Sequence, residues 1–204
     1  MPNPYPDDAT NALYELLFCD RMELYTGSIP PPYAYPWNVL LADPPVEKDL
    51  LQLLADHNME SRIRLLAAHI LRQRSMDIPR KDLLGVIVEI GLEDGLDVLA
   101  SYSDGTARYF NYTGKVLIWE APNAESIQLT QNLFNASARI VSQIGPWNKP
   151  RKSFPPKGSL RISFLVSDGL YFGEGPVNVL FNDAMAGPAL QAATALMQYV
   201  TQKK

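Results

Sequence analysis

LLGVIVEIGLEDGLDVLASYSDGTARYFNYTGKVLIWE, residues 83–120, decides the fold of this chain. From Leu83 apolar residues recur with a period near two. Val86, Val88 and Ile90 lie on one side of a strand, and Leu96, Val98, Ala100 and Tyr102 then alternate against Asp97, Leu99 and Ser101. Asp94-Gly95, Asp104-Gly105 and Thr113-Gly114 punctuate the run as tight turns, ahead of further strands over 107–112 and 115–120. Antiparallel neighbours can be joined by such short turns, whereas parallel ones need a long crossover, so the spacing predicts a four-stranded antiparallel meander.

Working outward, the period lengthens on both sides. Downstream, Asn123 is placed to cap a long helix running to Ile144, with Ile127, Phe134, Val141 and Ile144 on one stripe and Gly145-Pro146 as its stop. Leu160, Ile162, Phe164 and Val166 alternate in another strand. Ser167-Asp168-Gly169 turns it, Leu170 to Phe172 begins the return, and Gly187-Pro188 opens a C-terminal helix. Upstream, residues 8–20 read as a helix burying Leu13, Leu16 and Leu17, followed by a proline-rich connector over 26–36. Asp43-Pro44-Pro45 is expected to start a helix carrying Leu50, Leu51, Leu53 and Leu54. A second helix repeats Ile63, Leu66, Ala67, Ile70 and Leu71 at helical spacing, so the two should pair as a hairpin. The expected class is α+β: an antiparallel meander sheet of about six strands with two long helices packed on it and an N-terminal helical lobe. Residues 1–80 form the lobe with its proline-rich connector and 81–204 the sheet domain, together one compact unit.

Composition narrows the function classes. With 204 residues, 47% of them hydrophobic and 20% charged, the chain can bury a core without disulfide or metal. It has a single cysteine, Cys19, and residues 1–8 have neither a basic nor an apolar leader segment, so a cytoplasmic setting is expected. Apolar runs are too short to cross a bilayer, and no membrane partner is expected. The net charge of −4 argues against nucleic acid as a general partner. The last 59 residues, however, hold seven cations against three acids.

Motifs for chemistry are sparse. His57 and His69 with Glu60 lack metal-ligand spacing, and Glu93, Asp94 and Asp97 lack a calcium loop. Gly173-Glu174-Gly175-Pro176 lacks the lysine and the backbone donors of a phosphate loop and reads as a bend between elements. Cys19 has no sequence neighbour that would activate a thiolate. No metal and no cofactor are expected.

Two stretches read as recognition surfaces. Residues 30–37 contain Pro-Pro-x-Tyr and carry Tyr33 and Trp37, suited either to an aromatic groove or to wrapping the body. Residues 147–157 interleave Lys149, Arg151, Lys152 and Lys157 with Trp147 and Phe154, a surface suited to an acidic protein partner. The reading that follows is a non-catalytic protein-interaction module. The alternatives are a small-molecule sensor, or an enzyme using a carboxylate and tyrosine pocket on the sheet, with Glu89, Asp97, Tyr102, Arg108 and Tyr109 as its residues. Edge strands of the meander are compatible with a homodimer.

Overall fold

The computed structural model describes residues 3–27 and 30–202. Five helices come first: α1 (Asp8–Leu16), α2 (Glu23–Thr26), α3 (Trp37–Leu40), α4 (Glu47–Ala55) and α5 (Ser61–Gln73). The meander follows as β1 (Leu83–Gly91), β2 (Leu96–Tyr102), β3 (Ala107–Phe110) and β4 (Val116–Trp119). Then come α6 (Ala124–Val141), β5 (Ser159–Val166), β6 (Gly169–Pro176), α7 (Val177–Asn182) and α8 (Ala186–Gln202). The six strands form one antiparallel sheet in the order β4-β3-β2-β1-β5-β6. The β5–β6 hairpin is therefore added beside β1, the first strand of the meander, and β4 and β6 are the edges.

Alternation along each strand sorts the side chains onto two faces. Val86, Val88, Leu160, Ile162, Phe164 and Tyr171 face α6 and α8, which pack on each other and bring Leu133, Ile140, Leu190, Leu196 and Val200 into that core. Ile87, Leu96, Val98, Ala100, Tyr102 and Leu165 face the opposite way and form a second core with Leu17, Phe18, Leu53, Leu66 and Leu71 of the N-terminal helices. The N-terminal lobe thus covers the second face of the sheet, giving three layers. Among the described residues, no helix is long and apolar enough to cross a membrane.

Local signals account for most element ends. Asn123 caps α6 with a reciprocal Ser126 bond, and Gly105 and Gly114 turn with positive φ, where a Cβ is disfavoured. Four expectations are corrected. Helix α1 stops at Leu16 and buries Thr10, Asn11 and Tyr14, while Leu13 is exposed; the polar Asn11 can be buried because it bonds the main chain of Tyr5 and Asp7. Helix α4 starts at Glu47 after Val46, so Asp43 does not cap it. Thr26 closes the short helix α2, residues 28 and 29 lie outside the described part, and 30–36 form neither helix nor strand. Finally, β6 runs through to Pro176 and leads straight into α7, so Gly173 to Pro176 belong to a strand. Proline fits the last place on an edge strand because its missing N–H leaves no ladder bond unmade.

Candidate recognition site on the 147–157 loop

A proline-rich loop cannot satisfy its own main chain, so the sheet must do it. Trp147 leaves the end of the α6 region by donating its backbone N–H to the Leu170 carbonyl at 2.7 Å, a one-residue antiparallel bridge on the outer edge of β6. Arg161, in the middle of β5 and only 3% exposed, supplies the main anchor. Its planar fork donates to Glu174 Oε2 at 2.7 Å and to the carbonyls of Lys152 at 3.3 Å and Ser153 at 2.5 Å. Arg151 anchors the loop from the other side. It pairs with Glu15 and, at 2.9 Å, with Asp20, and its guanidinium lies 3.8 Å from the centre of the Phe18 ring. Burial disfavours its charge, but Asp20 and Glu15 together more than offset this and hold its pKa above the ordinary arginine value. Phe154 packs against the core of the N-terminal lobe, Pro155 is buried, and Lys157 pairs with Glu93.

What remains free is a smaller surface than the whole loop. The Lys149 and Lys152 ammonium groups each lie 5.6 Å from the centre of the Trp147 ring, and Lys152 is also 5.2 Å from Phe172. Trp147 and Phe172 meet edge-on at 5.2 Å, and the indole N–H donates to the Pro150 carbonyl, so the aromatic platform is itself fixed. Neither lysine is within ion-pair distance of a carboxylate among the described residues. Of the predicted loop residues, Trp147, Lys149 and Lys152 form one patch. Arg151 and Phe154 instead hold the loop in place, and Lys157 is taken up by an exposed pair with Glu93.

Beside the patch, a cleft of about 630 Å³ opens between α1 and the loop, lined among others by Tyr14, Glu15, Asp20, His69, Arg151 and Phe154. Behind Tyr14 sits Glu89, 0% exposed, which accepts the Tyr14 hydroxyl at 2.5 Å on Oε1. Its Oε2 has no hydrogen bond among the described residues, and Arg161 is 3.8 Å away. Burial raises the Glu89 pKa, opposed by the Tyr14 bond and by Arg161. His69 is held below its usual pKa by burial and by Arg72.

The other predicted residues are dispersed. Trp37 packs on Tyr25 and Tyr33 is exposed, and no hydrogen bond or ring contact joins them to the loop patch among the described residues. The five residues of the enzyme reading are divided by the sheet: Glu89, Tyr102 and Arg108 point to the N-terminal lobe, Asp97 and Tyr109 to the α8 side. Tyr102 donates to the Leu17 carbonyl and Arg108 to Glu120, so both have structural partners. His57 and His69 line separate cavities, and among the described residues no group of three His, Cys, Asp or Glu side chains could hold a metal. Cys19 is fully buried and its thiol is pushed up to about 12 by burial, which leaves it unreactive as a thiolate. Sequence reasoning missed Arg161 and the acids Glu15 and Asp20 as parts of this site. Arg161 did carry a signal: an arginine inside an alternating strand that otherwise reads as core must find partners there. Compared with known protein families the chain matches none, and no characterised protein is detectably similar to it.

Proposed function

We propose that this chain is a non-catalytic recognition protein that takes an acidic segment of another protein onto Trp147, Lys149 and Lys152. One observation carries the reading: two ammonium groups without a carboxylate partner among the described residues share an aromatic platform whose loop is pinned by Arg151 and Arg161, so their position is prepared before a partner arrives. Preorganisation matters because ordering a loop at the moment of binding subtracts from affinity, and here folding has already supplied that order. A cytoplasmic setting goes with this reading. The division of Glu89, Tyr102 and Arg108 from Asp97 and Tyr109 by the sheet weakens the enzyme alternative.

The test is titration calorimetry with polyglutamate on the wild type and on a Lys149→Ala, Lys152→Ala double variant. Binding to the wild type that weakens about tenfold in the variant, at unchanged thermal stability, is the expected outcome. Arg151 is left intact because its substitution would release the loop from α1. Equal binding by the two proteins would remove the patch from consideration.

A further inference from the structure

Trp147 meets the outer edge of β6 in a single antiparallel bridge to Leu170, and the residues that follow it lie on the Gly169 side of that bridge, away from Phe172. The Trp147 N–H bonds to the Leu170 carbonyl, so Leu170 directs its main chain away from β5. Since main-chain direction repeats every two residues in an antiparallel ladder, Phe172 and Glu174 present their N–H and C=O groups to the same outer edge. Pro176, without an N–H, falls in the same outward set. No main-chain hydrogen bond from outside the sheet reaches Phe172 or Glu174 among the described residues. Glu174 is exposed as a residue although its side chain is only 24% exposed, so its exposure comes from the main chain. Helix α7 does not close this edge: Val177, Leu180 and Phe181 pack against the α6 and α8 core, on the other face.

Building on the acidic-partner reading above, we infer that the partner docks as an extended segment that adds to the β6 edge opposite Phe172 and Glu174, beyond the Trp147 bridge. Residues paired across a ladder share a face, so the partner residue opposite Phe172 projects beside the platform where Lys152 and Lys149 lie. That position takes an aspartate or glutamate. The position opposite Glu174 takes a neutral residue, because Glu174 is an acid already matched to Arg161. The opposite edge does not suit the same segment: on β4, Ile118 is exposed, Glu120 follows, and the Arg108 guanidinium there is already paired with Glu120. Main-chain pairing to β6 then supplies affinity, and the two lysines select the acid.

A capped peptide Thr-Val-Thr-Val-Thr-Glu tests both parts by calorimetry: run antiparallel to β6, it sets its Glu opposite Phe172 and its Val residues opposite Glu174 and Pro176, and it stops short of Leu170, which Trp147 occupies. In this mode the amides of Glu and of the two Val residues face β6, and those of the two Thr residues between them face solvent. N-methylation of the Glu and Val amides should weaken binding about tenfold or more, while N-methylation of those two Thr amides should leave it unchanged. Replacing the peptide's Glu by Lys, or Lys149 and Lys152 of the protein by Glu, should each abolish it. Equal loss from both methylation patterns, or none from either, overturns strand addition. If polyglutamate binding still depends on the lysines in that case, the acidic-partner reading survives alone. Failure of both peptide and polyglutamate to bind overturns both, as does tighter lysine-dependent binding of single-stranded oligouridylate.

Discussion

The two faces of the sheet are built from the same strands on different physical terms. Towards α6 and α8 the core is aliphatic and aromatic, and its buried polar groups are small hydroxyls such as Ser101, Thr130 and Ser137. Towards the N-terminal lobe lie all four buried charged residues found among the described residues, Arg64, Glu89, Arg108 and Arg161, together with tyrosines bonded to main-chain carbonyls. Two long helices can satisfy their own backbones and need only an apolar surface. Short helices and proline-rich loops leave carbonyls exposed to the interior, and arginines are the side chains able to meet several at once. Arg161 serves two loop carbonyls and Arg64 serves the Leu54 carbonyl at the end of α4. The polar face is therefore the one that places the loop, and the apolar face supports it from behind.

The sharpest way to break this contrast is Arg161→Ala. It removes donors from two carbonyls and takes the cation away from Glu89 and Glu174, and a cost of about 3–5 kcal/mol in denaturant unfolding is expected, as for other buried ion pairs that lose one partner. A cost below 1 kcal/mol would mean the loop is held by packing instead. On the apolar face, Leu190→Ala should cost about 2–5 kcal/mol through the cavity it leaves, yet leave affinity for polyglutamate unaltered in the folded protein. A parallel loss of affinity would show the two faces to be coupled. Tyr14→Phe should cost about 1–3 kcal/mol, because both Glu89 oxygens then lack a hydrogen-bond donor.

The smallest effect is in pH dependence. Glu89 has a folded-state pKa raised above its unfolded value, so its share of stability is fully present below the unfolded pKa and is lost as pH rises through the raised one. Unfolding measured across that window should show a downward slope in the wild type that Glu89→Gln flattens. An identical slope in both proteins would assign the pH response to other groups.

Much of this was legible along the chain because it depends on near neighbours. The strand alternation of 83–120, the Asn123 cap and the turn glycines each act within a few residues, and all appear in the fold where they were expected. The recognition loop was legible as a basic and aromatic stretch, but its division of labour was not. Nothing near Arg151 in sequence distinguishes it from Lys149 or Lys152; residues 136 and 131 positions away, Glu15 and Asp20, take it out of the free surface. The expectation that Leu13 is buried failed for the same reason, since Tyr14 takes the buried place. Leu13 is the more apolar residue, but the partner that rewards burial, Glu89, lies 75 residues on.

By itself, then, the sequence determined the strands, their antiparallel connection and the two long helices, since periodicity and turn chemistry are local properties of the chain. Only the tertiary structure decided that the N-terminal helices close the second face of the sheet, that Arg151 and Arg161 are anchors while Lys149 and Lys152 stay free, and that β6 keeps an open edge beside them. The physical reason is that ion pairing and main-chain satisfaction depend on distance in space, and residues far apart in the chain leave no periodic mark of meeting.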